Sequence, residues 1–303
     1  MEKSLRIKLG LCLASLLFSA QASSAPKANK APIVLAEQDR IVAGGRALQL
    51  EIEQTEIATT VEIGRVMNDG NYGGGALGSW YLRSRDDKPQ ILATMEHRRL
   101  EAVAEPLRLV LKDFKAEELA IATTKAALAK VEWFQPLVFD INRRPSPDSR
   151  EIFANVAQTP QIAFINYFYS VSHDFTYVEV QADIAIGRKA AKQSGIFYRH
   201  RISSIVQLPK RSFVDRENAK IWSADGGRLA RASLTTAFMR LEQLIPHALG
   251  MSLADVTRLN AKTSEKAYGA GLYGSLIERS PDGSGGILIW SKGLISVQQA
   301  SNP

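Results

Sequence analysis

Residues 73 to 78, Gly-Gly-Gly-Ala-Leu-Gly, supply both a G-x-G-x-x-G and a G-x-x-x-x-G spacing, the two patterns that bring backbone N–H groups to a nucleotide phosphate. The context matches neither. A dinucleotide site sets its glycines in a tight turn between a strand and a helix, so that the pyrophosphate meets the helix N-terminus. Here the strand-like text stops near Val66, and Asp86, Asp87 and Pro89 stand before any firm helical pattern. Glu96 lies near the spacing of a ribose-binding carboxylate, but it is one of 31 acids. A P-loop needs Lys and then Ser or Thr after its last glycine, and Ser79-Trp80 follows instead. No HRD or DFG motif supports a protein kinase. The Gly73 to Gly78 stretch therefore reads as a connector whose glycines permit positive φ and close backbone approach. The alternative is a membrane-apposed loop, with Tyr72, Leu77, Trp80 and Tyr81 beside Arg83 and Arg85.

The other reactive types are scattered. His97, His173, His200 and His247 form no His-x-x-x-His or HExxH pattern, so no metal site is nominated. His173-Asp174 could be half of a catalytic pair, but a hairpin loop selects Asp and polar neighbours on its own account. The serines in GSL (274 to 276) and GSGG (283 to 286) fall in or beside turns, without the G-x-S-x-G of a nucleophile elbow. No pair of acids is marked out for glycoside chemistry, and Asp86-Asp87 reads as a solvated turn. Arg143-Arg144 and Arg199-His200-Arg201 are basic, the latter beside Phe197 and Tyr198, yet a strand with arginines on its open face accounts for Arg199 and Arg201. The sequence thus nominates no catalytic, cofactor-binding or metal-ligating residue, and no cofactor.

The amino-terminal segment bears on location. Lys3, Arg6 and Lys8, then the apolar run Leu9 to Phe18, then Ala20-Gln21-Ala22 make the three-part pattern of a secretory signal. Residues 1–22 are expected to be removed, and the mature chain to begin near Ser23. The apolar run is about half the ~20 residues that span a bilayer, and no later segment is long and apolar enough to do so. Cys12, the only cysteine, lies inside the signal and follows Leu11, a poor context for lipidation. Its loss excludes intrachain disulfides, thiolate ligands and a cysteine nucleophile. A disulfide-free exported chain of this size fits a bacterial periplasm. Removing three basic groups and one acidic group lowers the formal charge from +7 to +5. That excess is compatible with anionic lipid or lipopolysaccharide, though ordinary solvated charge explains it as well. An export signal argues against nucleic acid as a partner.

Residues 23–33 are small and polar with two prolines and read as a flexible mature N-terminus. Residues 34–303 read as a single α+β domain, with a division into two subdomains near 142–148 as the alternative. Ile33 to Val66 is β-rich, with IVL, RIVAG and an alternation of Leu48, Leu50 and Ile52 that predicts half-buried strands. Residues 91 to 113 carry helical spacing, with Pro106 expected to kink the helix or start a new one. A second helix over KAEELAIATTKAALAKV would bury Leu119, Ala122, Ala126 and Ala129. LVFDI is a short strand, NRRPSPD a loop, and Ser149 to Val156 a short helix. Residues 161 to 186 predict a hairpin with its loop near Ser172 to Asp174, the first strand apolar on both faces and the second polar on one. IFYRHRISSIVQL extends the sheet, Ala224 to Leu249 forms a long helix ending at Gly250, and two apolar runs around Pro281-Asp282-Gly283 close the chain as a second hairpin. The expected class is α+β, a mainly antiparallel sheet of hairpins packed against several helices.

With GGGALG before the helices, NYFYSVSHDF in the hairpin and GGILIWSKGLIS at the end, the chain resembles a family of uncharacterised exported proteobacterial proteins. The resemblance implies export and an α/β core, and carries no activity or functional residues. The charged, Pro-containing SRDDKPQ departs from it, where the first helix would run on from the glycines. The function expected is that of a non-enzymatic, envelope-associated binding or structural protein, with another envelope protein or an anionic lipid surface as partner; Tyr167, Tyr169 and Tyr177 are candidates for an exposed partner surface, with core packing the expected role for most of them. The alternative is a periplasmic hydrolase whose acids or serines converge only in three dimensions.

Overall fold

The structure, a computed structural model, describes residues 34–52, 54–60, 88–188, 195–262, 264–266, 273–290 and 293–301. The segments expected to be a signal and a flexible mature N-terminus, the end of the β-rich text at residues 61–66 and the Gly73 to Gly78 stretch lie outside these residues. The expected α+β class is observed: among the described residues one mixed sheet of ten strands packs against five helices. The strands are β1 (Arg46–Glu51), β2 (Ala58–Thr59), β3 (Pro136–Asn142), β4 (Gln161–Val171), β5 (Tyr177–Arg188), β6 (Gly195–Gln207), β7 (Ser264–Lys266), β8 (Tyr273–Arg279), β9 (Gly286–Trp290) and β10 (Gly293–Gln299). The helices are α1 (Lys88–Leu111), α2 (Ala116–Ala129), α3 (Pro147–Val156), α4 (Asp215–Gly250) and α5 (Leu253–Asn260). The sheet runs β3-β1-β4-β5-β6-β10-β9-β8-β7, with β2 paired to the end of β4.

Two segments of the sheet follow different logic. β4, β5 and β6 form an antiparallel meander, as do β7, β8, β9 and β10, and these pairs make the sheet mainly antiparallel. β1 instead lies parallel to both β3 and β4. The α1–α2 crossover leads from β1 to β3, and the α3 crossover leads back over β1 to β4. The two step in opposite directions and use opposite faces, so they share one hand, as parallel connections require. A parallel strand covered on both faces is buried throughout, and all six residues of β1 are. The expected half-buried alternation is therefore corrected: Leu48 and Leu50 face the main core, while Ala47 faces α3. Val34–Leu35 and Arg40–Gly44 form no strand, and a 3-10 turn at Glu37–Asp39 lies between them; Ile33 is outside the described residues.

The main core lies between one face of the sheet and α1, α2 and α4. Ile165, Tyr167 and Tyr169 of β4, Val178 to Ile186 on alternate positions of β5, and Tyr198 and Ile202 of β6 meet Leu234, Phe238, Leu241 and Ile245 of α4. Trp222, fully buried, donates its indole N–H to the Phe175 carbonyl at 2.7 Å, tying α4 to the β4–β5 hairpin. On the opposite face Phe153 and Ala154 of α3 cover Ala47, Ile162 and Phe164. Farther along that face, Ile205, Leu288, Ile295 and Val297 form a small apolar cluster.

The hairpin with its loop at Ser172 to Asp174, the two apolar faces of β4 and the polar face of β5 stand where the pattern placed them. Several helical details differ. α1 runs through Pro106 without a break. The proline is on an exposed side of the helix, where water can reach the carbonyl that its ring leaves unbonded. α2 buries Ala116, Ala120, Thr123, Thr124, Ala127 and Leu128, leaving Ala122 and Ala129 exposed. The two threonines are satisfied inside, Thr123 by the Phe238 carbonyl at 3.3 Å and Thr124 by the Tyr167 hydroxyl at 2.9 Å. α3 begins at Pro147, inside the expected loop, because Ser146 and Ser149 form a capping box. α4 begins nine residues before Ala224, at Asp215, and is broken at Ala224, Asp225, Gly226 and Gly227, the last three at positive φ. The final apolar text divides into β9 and β10 around residues 291–292, giving a third strand beyond the expected hairpin.

Candidate functional site

Three polar constellations are brought together by this fold. The first lies at the carboxyl ends of β1 and β3, where the crossovers diverge to opposite faces; in open α/β sheets such a point is where ligands bind. Gln49 donates to Asp140 at 2.8 Å, and Asn142 donates to Gln49 at 3.3 Å and to Ser149 at 2.9 Å. Glu51, fully buried, receives both Nε (2.5 Å) and Nη2 of Arg150. Each group is answered by another protein group, and Phe153 and Ala154 pack alongside. This network fills the crevice and fastens α3 to the sheet.

The second is the loop of the β4–β5 hairpin, where the sequence placed His173 beside Asp174. Asp174 accepts from Ser172 Oγ at 2.8 Å and from Thr176 N and Oγ1 at 3.2 and 2.8 Å. Burial alone would raise its carboxyl, but the Ser172 and Thr176 bonds outweigh that and hold it below the ordinary value. The Asp174 backbone carbonyl also accepts from Asn218 at 2.8 Å, joining the loop to α4. These bonds fix a turn.

The third is a groove of about 590 Å³ bounded by the end of α4, by α5 and by β8. His247, Gly250 and Met251 come from the first, Asp255, Arg258, Leu259 and Lys262 from α5 and its C-terminal end, and Ile277 from β8. α5 forms here because Ser252 and Asp255 make a capping box. Ser252 Oγ donates to Asp255 Oδ2 at 2.7 Å and accepts from Asp255 N at 3.1 Å. The Ser252 hydroxyl bond, a second bond from Ser252 N to Asp255 Oδ2 at 3.1 Å, and Arg258 at 3.0 Å hold the Asp255 carboxyl below its ordinary value. Lys262 donates to the Leu276 carbonyl at 3.2 Å, leaving further ammonium donors free to solvent. Ser252, Asp255 and His247 thus share one place, yet the serine gives its proton to the carboxylate rather than to the imidazole. That order is a helix cap, not a nucleophile with its base.

Behind this groove stands a second basic group. Arg40 Nη2 donates to the Met251 and Gly250 carbonyls at 3.0 and 3.5 Å, capping the C-terminus of α4. Its own carbonyl accepts from Arg46 Nη2 at 2.6 Å. Arg46 is 2% exposed and lies 4.7 Å from the Trp133 ring and 4.6 Å from the Phe134 ring. Arg40 lies 5.8 Å from Trp133. Arg40 Nε and Arg46 Nη1 are buried without a hydrogen-bond partner, and among the described residues no carboxylate pairs with either guanidinium. Burial lowers the Arg46 pKa to about 10.

The other sequence candidates fall elsewhere. His200 is buried on the core side of β6, stacked on Tyr198 with ring centroids 6.0 Å apart. Arg201 pairs with Asp183 at 2.7 Å and Arg143 with Glu117 at 2.6 Å. Of the three tyrosines, Tyr167 and Tyr169 take the core-packing role, both buried against Phe238, and Tyr177 lies on the opposite face. No group of three or more His, Cys, Asp or Glu that could hold a metal ion occurs among the described residues. Nor is any helix among them long and apolar enough to cross a membrane. The groove residues were not nominated by the sequence. The visible signal was Ser252-x-x-Asp255 before an apolar pattern, which marks a helix start but not what the helix will face.

The fold and its sites define an α+β protein with a mixed sheet, three helices over one face, α3 over the other, and a groove at the end of its longest described helix. No family model, curated protein or solved structure matches the chain.

Proposed function

We propose that this is an exported, envelope-associated protein that binds another component through the groove at the end of α4, and does so without catalysing a reaction. The observation that carries the reading is the groove's make-up. His247, Arg258 and Lys262 present positive or proton-donating groups around the apolar Met251, Leu259 and Ile277, while the single carboxylate, Asp255, is engaged by Ser252 and Arg258. Such a lining recognises and holds; it offers neither an activated nucleophile nor two opposed acids. Export rests on the three-part signal of residues 1–22.

The test is fractionation of a proteobacterial host expressing the full chain, with N-terminal sequencing of the product. The reading expects a mature N-terminus near Ser23 and recovery with the periplasm and envelope. An uncleaved chain in the cytoplasm overturns it.

A further inference from the structure

We infer that the groove is an anion site: Arg258 and Lys262 clamp a phosphate or carboxylate group, and the apolar wall of Met251, Leu259 and Ile277 receives the hydrophobic part attached to it. The inference rests on the binding reading above and names the ligand class for that site.

Three observations carry it. The first is charge. Arg258 and Asp255 offset one another as an ion pair at 3.0 Å, so Lys262 is the surplus cation, with His247 alongside, and the floor of the groove is the Gly250–Met251 backbone that Arg40 grips from behind. The second is the Arg40–Arg46 pair. Buried charges are ordinarily paired, because removing an ion from water is costly. Among the described residues two adjoining guanidiniums are answered by carbonyls and aromatic faces alone, and each keeps a buried nitrogen without an acceptor there. The buried Arg46 charge, without a carboxylate partner among the described residues, adds a positive potential behind the groove where screening is weak, and the half-buried Arg40 adds to it. The third is amphipathy. Ile277 is half-buried beside the cations and supplies the apolar contact surface, while Met251 and Leu259, 5% and 6% exposed, back it from the core. A bare inorganic anion would leave that surface unused.

The shared chemistry is an anionic headgroup, and two sources supply it: a free phosphate or carboxylate, and an anionic lipid. Calorimetric titration of the mature chain separates them with three probes: sodium phosphate, a short-chain phosphatidylglycerol below its micelle concentration, and phosphatidylcholine of equal chain length. The lipid source predicts that phosphatidylglycerol binds more tightly than either of the others. Equal affinity for phosphate and phosphatidylglycerol would mean a free-anion source and would overturn the part of the inference that gives the apolar wall a role. In both cases the Arg258→Gln/Lys262→Gln variant, whose altered side chains are exposed and which should keep the wild-type circular dichroism, loses affinity by about tenfold or more. No binding of either anionic probe, or equal affinity in the variant, overturns the anion site. The binding reading is judged separately by fractionation: a mature chain that is exported and retained by the envelope yet ignores both anions keeps that reading and loses this one.

Discussion

Acidification offers a sharp test of the packing around β6, because it isolates one buried group. His200 is 4% exposed on the core face, stacked on Tyr198, with its Nε2 lacking a partner. Burial, assisted by the nearby His247, lowers its pKa to about 4 from the ordinary 6.5. Between those values the unfolded chain takes up a proton that the folded chain refuses. The neutral ring's contribution is therefore complete above about pH 6.5 and is lost progressively as pH falls toward 4. At about 1.4 kcal/mol per pH unit between the two values, the full loss is about 3 kcal/mol, a large part of the roughly 5–15 kcal/mol that holds a domain together. Urea denaturation at pH 7.5 and pH 4.5 would measure it in the wild type and in His200→Leu, which keeps an apolar side chain in that space and removes the titrating nitrogen. Glu179, whose carboxyl is raised by burial, acts in the opposite sense, but equally in both proteins. The variant should lose about 2–3 kcal/mol less than the wild type between the two pH values. Equal losses would refute the assignment of a buried, neutral His200.

Other perturbations probe separate joints. Arg150→Met strands the fully buried Glu51 carboxylate and should cost roughly 3–5 kcal/mol in chemical denaturation at pH 7, with much of that recovered in Arg150→Met/Glu51→Leu. Tyr167→Phe leaves the buried Thr124 hydroxyl without its 2.9 Å partner and should cost roughly 1–3 kcal/mol, less when combined with Thr124→Val. At the break in α4, Gly226 and Gly227 both have positive φ, near +67° and +76°. A Cβ at Gly227 would lie 2.6 Å from Val110 Cγ2, whereas one at Gly226 meets nothing within 4 Å. Both alanine variants carry backbone strain of about 1–2 kcal/mol; Gly227→Ala should melt lower than Gly226→Ala by the further cost of displacing Val110.

What the sequence made legible follows from how locally each feature is determined. β4 and β5 could be read because their alternation is decided by which faces are covered, and the polar Glu179, Gln181 and Asp183 mark the lesser-buried one. The buried face of α2 could not, since Thr123 and Thr124 enter the core only through acceptors on α4 and β4. Glu51 and Gln49 looked like the solvent face of a strand because nothing local shows that α3 will lie over them with Arg150. Asp225-Gly226-Gly227 reads as a helix start, which it is for the second half of α4, but the apolar text before it did not reveal the preceding helical segment. The groove was least legible. Arg40 and Met251, joined by one hydrogen bond, are 211 residues apart in the chain. Arg258 and Lys262 read as ordinary surface charge until α5 is placed beside β8.

The central claim is that the exported chain binds the envelope through its basic groove. Its most direct test is co-sedimentation of the mature protein with isolated bacterial envelopes across a salt series, with Arg258→Gln/Lys262→Gln alongside. The account predicts that the wild type sediments at low salt and is released as salt rises, because screening weakens charge-mediated contact, while the variant stays in the supernatant. Equal retention of the two proteins, or no retention of either, would contradict it.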